Sequence, residues 1–171
     1  MKYISKDNGF TIIELIVVIV VVAIVAAIAA PRIMNTSTDA KIASLNGFIS
    51  AFRAAESIVE GKMIIEGKEM TSQHVLTSQE GIEAQYGSIR LSNDNLKRMM
   101  NVDGYRIVTC LDKTQMFVVP ATYKDVPDGE DSIEACRAAL ATFCWVSLYN
   151  PQKEGTENER VFDISRNYTK C

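Results

Sequence analysis

The stretch that decides the fold is GFTIIELIVVIVVVAIVAAIAAP, residues 9–31. From Phe10 to Ala30 every residue is apolar except Thr11 and Glu14. A helix needs about 20 predominantly apolar residues to cross the hydrocarbon core of a bilayer, and this run is long enough. A carboxylate inside such a helix costs about 2.5–3.5 kcal/mol on insertion scales, so an intramembrane acid is usually paired or functional. Where Glu14 finds its partner is the question this sequence poses.

Outward from that run, the first alternative is a secretory signal peptide, whose apolar core of ~7–15 residues ends at a small-residue cleavage site. Ala26, Ala27, Ala29 and Ala30 imitate such a site, but helical periodicity resumes directly after Pro31. A retained span is therefore the better reading. Lys2 and Lys6 precede the span with Asp7 against them, while Arg32 and Lys41 follow it. Cationic flanks tend to stay in the cytoplasm, so this small bias places the N-terminus there and exports the rest.

Beyond Pro31, Ile42, Leu45, Ile49, Phe52, Ala55 and Val59 are spaced by three or four, the pattern of a helix with one buried face. Lys41, Ser44, Asn46, Arg53, Glu56 and Glu60 fall largely off that stripe, and Gly61 suits a C-cap. Pro31 lacks an amide hydrogen and clashes with the preceding turn, which predicts a kink or a loosened turn rather than a stop. A helix over 10–61 is roughly 75–80 Å long at 1.5 Å per residue. That exceeds any bilayer, so its second half must project and lie against something.

The remainder supplies a sheet. GYRIVTCL and QMFVVP, separated by Asp112, Lys113 and Thr114, read as an antiparallel pair around a short turn. ATFCWVSLY and RVFDIS read as two more strands joined by the polar NPQKEGTENE, with a capped helix in DSIEACRAAL and another in SNDNLKRMMN. Residues 62–92 show no clear period. The architecture is α+β, a lollipop: a leader (1–9), a membrane half (10–31) and an amphipathic half (32–61) of one long helix, and a globular head (62–171). The helical stripe packs on one face of a small antiparallel sheet.

Cys110, Cys136, Cys144 and Cys171 all lie in the head, with no Cys-x-x-Cys pair. Four cysteines in a small exported domain point to disulfides, and three connectivities are open. Net charge is −3 without a basic block, so no nucleic-acid footprint is present.

Gly9 followed by Phe10-Thr11-x-x-Glu14 and an apolar run closed by Pro31 resembles the type IV pilin N-terminus. The short leader and Phe10 resemble the type IVa subgroup, and DAKIASLNGFISAFRAAESIVEGK is similar to mannose-sensitive haemagglutinin pilins. The CWVSLYNP stretch running on to Cys171 also looks like a pilin disulfide-bounded loop. The resemblance implies that a prepilin peptidase cuts after Gly9 on the cytoplasmic face and that Phe10 becomes N-methylated. The partners it implies are the inner membrane before assembly, the pilus assembly machinery and further copies of the same chain in an extracellular filament. It also implies a Cys144–Cys171 pair closing the final loop and a Cys110–Cys136 pair; Cys136–Cys144 stays open on sequence alone. Closing a loop of that size contributes about 3 kcal/mol in the chain-entropy model.

Cleavage after Gly9 leaves a cationic amine on Phe10, and Glu14, four residues along, can meet its own amine or a neighbour's. In the family the neighbour's amine is the partner. Pairing two charges in low dielectric removes two penalties at once, which would fix the axial offset between subunits. The same helix is then solvated by lipid before assembly and packed among identical helices afterwards. Such a head-to-tail contact does not close, and an open filament results.

Other residues carry less. His74, the one histidine, has no ligand partners by spacing, so no metal or other cofactor is expected. DVPDGED places Asp125, Asp128, Glu130 and Asp131 together, but not in an EF-hand pattern, and reads as a solvated acidic loop rather than a calcium site. Asn167-Tyr168-Thr169 fits a short glycosylation sequon, and Trp145 reads as a core residue against the neighbouring disulfide. No nucleophile with a base, phosphate loop or catalytic carboxylate pair is visible, so the chain is not read as an enzyme. A pilin subunit is the leading reading. The alternative is a pseudopilin of type II secretion, whose head would hold calcium in place of disulfides. An uncleaved single-span protein with a sensing domain ranks third, because a lone helix gives Glu14 no purpose.

Overall fold

The computed structural model describes residues 10–72, 74–76, 81–110, 114–129, 131–150 and 162–171, without the side chains of 31–35 and 74. The expected leader over 1–9, the turn at Asp112 and Lys113 and the connector over 151–159 fall outside those residues. In order, the elements are α1 (Ile12–Ile65), β1 (His74–Val75), β2 (Glu83–Gln85), β3 (Ser88–Ile89), α2 (Asn93–Met99), β4 (Tyr105–Cys110), β5 (Gln115–Pro120), α3 (Ile133–Ala141), β6 (Trp145–Tyr149) and β7 (Asp163–Asn167). The class is α+β, and the chain divides into two compact units, Met1–Asp39 and Ala40–Cys171.

The described part of the first unit is the apolar half of α1. Its stretch Ile12–Ala30 is long and apolar enough to cross a membrane by length and composition, and its large side chains are exposed. Helix α1 runs unbroken through Pro31.

In the second unit, α1 lays its apolar stripe on a four-stranded antiparallel sheet of order β4-β5-β6-β7. Leu45, Ile49, Phe52, Ala55 and Val59 are buried on the expected period, with Ile42 half-buried. Phe48 and Met63 are buried too, so the stripe is wider and longer than its spacing suggests. Met63 lies one turn beyond Val59, and burying it carries the helix past Gly61, which is not the cap. Gly67 takes that role at φ +63°, with Gly67 N donating to Ile64 O (3.0 Å) and Lys68 N to Met63 O (2.9 Å), the double bond of a Schellman stop.

Strand register explains why β4 and β5 are near-continuous apolar runs. Ile107 faces Val118, and Val118 faces Val146, on the α1 side; Val108 faces Phe117 on the other. Alternation along each strand sends half its side chains to α1 and half to α3, whose Ala135, Cys136 and Ala139 pack on Val108, Phe117 and Val119. Trp145 is corrected by the same alternation. It sits beside Cys144 in sequence but packs edge-on to Phe117 (5.2 Å, 90°), in the cluster that holds Cys110 and Cys136.

The acidic loop is built into the sheet. Ile107 N donates to Asp128 Oδ1 (3.0 Å), Gly129 N donates to Ile107 O (2.8 Å), and Asp131 bridges Thr109 in parallel. Residues 62–92, unreadable by period, include the three-stranded sheet β1-β2-β3, whose strands are too short to show one. Tyr86 (φ 49°) and Gly87 (φ 79°) make the two-residue turn between β2 and β3, both in the left-handed region a type I′ hairpin requires. Helix α2 is capped by Ser92, and its Asn95 holds the small sheet. The fully buried Asn95 amide donates to Glu83 O (2.8 Å) and Arg90 O (2.9 Å) and accepts from Glu83 N (3.0 Å).

Two strand boundaries differ from expectation. Residues 141–144 belong to the end of α3 and a turn through Phe143 (φ 52°), because Thr142 caps the helix and β6 begins after it. Of the last expected strand, Arg160 and Val161 lie outside the described residues; β7 covers Asp163–Asn167, two residues past the expected end, and its register with β6 aligns Ile164 with Leu148.

Asn95→Ala removes three hydrogen bonds and leaves Glu83 N and Arg90 O without their Asn95 partner, while Glu83 O keeps Arg90 N (3.1 Å). It is expected to lower head stability by about 2 kcal/mol in denaturant titrations of the chain in micelles. Glu56 supplies a second test. Partial burial first, then repulsion from Glu60, against the attraction of Arg53, pushes its carboxyl from 4.5 up to about 7. The folded head thus holds this proton more tightly than the unfolded chain, and stability is lost as pH rises from about 4.5 to 7. Glu56→Gln is expected to raise the melting temperature at pH 8 and leave it unchanged at pH 4.

Candidate processing and assembly site

Helix α1 begins at Ile12, so Thr11 is its N-cap and Glu14 its third residue. The Thr11 hydroxyl accepts from Glu14 N (3.2 Å) and donates to Glu14 Oε2 (2.8 Å), which also accepts from Thr11 N (2.9 Å). This reciprocal pattern is a capping box: each residue satisfies a backbone donor that the first turn leaves unpaired. Glu14 therefore has a partner in its own chain, but a neutral one. Among the described residues it has no cationic partner, so its orientation is fixed while its charge stays available. Phe10, immediately before the cap, is fully exposed. Gly9 lies outside the described residues.

The described head contains two disulfides. Cys110–Cys136 joins the end of β4 to α3 (Cα–Cα 6.2 Å), and Cys144–Cys171 joins the residue before β6 to the final segment (Cα–Cα 4.8 Å). That segment reaches α1. Lys41 Nζ donates to Cys171 O (2.8 Å) and stands 5.2 Å from the Tyr123 ring centroid, Tyr123 Oη donates to Lys170 O (2.9 Å), and Tyr168 Oη donates to Asn46 Oδ1 (2.9 Å). Burial pushes the Tyr123 and Tyr168 phenols up, with Arg166 working against the shift at Tyr168, so both hydroxyls stay protonated donors at neutral pH.

The remaining expected residues do not join a site. The His74 side chain and Glu130 lie outside the described residues. Asp128 is taken up by Ile107 and stands 3.9 Å from Lys97. Among the described residues no group of His, Cys, Asp or Glu is placed to hold a metal. Asn167 Oδ1 accepts from Thr169 N (3.0 Å) and Thr169 Oγ1 (2.7 Å), turning the chain out of β7.

The capping role of Thr11 has a signal in the sequence, since T-x-x-E just before an apolar run is the capping-box signature. Lys41 carried no local signal, because its partner Cys171 is 130 residues away.

The family model described as the prokaryotic N-terminal methylation motif matches residues 4–30. No curated protein and no solved structure matches the chain. The motif is typical of type IV pilin-like proteins, and a long N-terminal helix packed through its second half on a small antiparallel sheet is a pilin-like fold. Together they support a structural subunit that is pilin- or pseudopilin-like.

Thr11→Val removes the cap hydroxyl while keeping a β-branched side chain. It is expected to weaken the start of α1 by about 1 kcal/mol, read as faster amide hydrogen exchange at Glu14 and Leu15 in micelles.

Proposed function

We propose that this chain is the subunit of a type IV pilus, of the type IVa, mannose-sensitive haemagglutinin kind, and polymerises into a surface filament for attachment. The observation that carries this reading is Glu14, a carboxylate held by Thr11 at the head of an exposed apolar helix, without a cationic partner among the described residues. Such an acid is costly in lipid unless a cation arrives. A prepilin peptidase cutting after Gly9 would create one at each neighbour's Phe10, which then becomes N-methylated.

In this reading the precursor sits in the bacterial inner membrane until the pilus assembly machinery draws it out. Docking of one chain's Phe10 amine on the next chain's Glu14 then sets the axial step of the fibre. The same Ile12–Ala30 stretch passes from lipid into the filament core. Two disulfides suit a head that leaves the cell, and they weigh against the pseudopilin alternative, as does the engagement of Asp128 with β4.

The test is the intact, non-reduced mass of the protein in filaments sheared from cells, beside that of the membrane fraction. A sheared species beginning at methylated Phe10 and lacking the hydrogens lost to two disulfides is the expected result. A cleaved form confined to the membrane points to the pseudopilin, and an uncut chain beginning at Met1 overturns both. Glu14→Ala is expected to be processed yet to yield few or no filaments.

A further inference from the structure

We infer that residues 168–171 form a clamp that fixes the first head-bound turn of α1, at residues 41–46, independently of the apolar stripe. The inference concerns the head alone and does not rest on the filament reading.

Burial along α1 is uneven. From Phe48 to Met63 each turn carries at least one fully or nearly fully buried apolar residue, among them Phe48, Phe52, Val59 and Met63. Leu45, in the turn before, is fully buried as well, whereas Ile42 is half-buried and Ser44 and Asn46 are exposed. Apolar cover therefore thins from Leu45 towards Lys41, where the head-bound helix begins.

Polar contacts act where the apolar ones thin out. The Lys41 ammonium is held by Cys171 O and by the Tyr123 ring, and Asn46 accepts from Tyr168. On the other flank, Tyr105 Oη donates to Ser44 O (2.8 Å) and accepts from Ser44 Oγ (2.9 Å). A bond from an ammonium to a carbonyl is stronger than one between neutral groups.

A clamp also needs a fixed base. Cys171 is bonded to Cys144, which leads directly into β6, and Lys170 N donates to Phe143 O (3.0 Å) with the Lys170 ammonium 4.6 Å from that ring's centroid. Tyr123 binds Lys170 O as well, so the ring that receives Lys41 also holds the segment that receives it. One path from α1 to the sheet thus runs through Lys41 and Asn46 to residues 168–171, which are tied to β7 by the chain and to β6 by the disulfide; Tyr105 of β4 supplies another at Ser44. The compact unit of the head begins at Ala40, one residue before Lys41.

Hydrogen exchange of the full chain in micelles tests this. Lys41→Met keeps an unbranched apolar stem and removes the ammonium. The amides of 41–46 are expected to exchange about tenfold faster while those of β4 and β5 keep their protection. Tyr168→Phe is expected to act at the same residues, more weakly. The double change Cys144→Ser/Cys171→Ser is expected to give the same local pattern more strongly, and Lys41→Met decides alone should that variant not fold. Unchanged exchange at 41–46 in Lys41→Met overturns the inference. So does an equal acceleration throughout β4 and β5, which would mark general loss of stability rather than loss of a clamp.

Discussion

Phe48 and Phe52 sit where α1 meets the sheet, and the head is organised around keeping them dry. Phe48 packs edge-on to Tyr105 from β4 (5.2 Å), and Phe52 packs edge-on to Phe162 just before β7 (4.9 Å). Around them, one core cluster gathers Leu76 and Ile82, which flank β1 and β2, with Ile89 from β3, Leu96 from α2, Met116 and Val118 from β5, and Leu148 from β6. Burying each large side chain contributes about 1.5–3 kcal/mol, so this contact outweighs any single polar interaction in the head. Helix α1 changes in character along its length. Its first half is apolar all round, and its second half is apolar along the one strip that the sheet covers.

The two disulfides lie on opposite sides of the same sheet and answer different needs. Cys144 and Cys171 belong to the large cluster under α1, whereas Cys110 and Cys136 belong to the smaller one under α3. Helix α3 turns Ala135 and Ala139 inward and leaves Ile133 and Leu140 exposed. Small inward residues let the helix lie close to the strands but bury little area, and the covalent link from Cys136 to β4 compensates for that shortage. Under α1 the aromatic packing is ample, and the other disulfide instead anchors residues 168–171 against the helix.

Much of this was legible in the sequence where the signal is periodic and long. The stripe from Leu45 to Val59 and the paired runs of β4 and β5 show their periods over several turns or residues, and the structure places them accordingly. Legibility failed where contacts are short or distant. Strands of two or three residues have no period to read, and Tyr86 is an unusual occupant of a left-handed turn position. Gly61 looked like a stop because local rules favour it, yet tertiary burial of Met63 overrode them. At the candidate site, Glu14 stands out as a charge in an apolar run, whereas Thr11 shows only as a member of the Phe10-Thr11-x-x-Glu14 pattern. Its role is visible once T-x-x-E is read as a capping box.

The loop at Asp128, Gly129 and Asp131 has a further consequence. Strand β4 is first in the sheet order, so its outer side would otherwise offer unpaired amides and carbonyls to any passing chain. The loop takes up Ile107 N and Ile107 O and bridges Thr109. At the opposite border, β7 turns Asp163, Ser165 and Arg166 to solvent. Both margins thus resist strand addition. Such margins guard the head against amyloid-like stacking with any neighbouring strand.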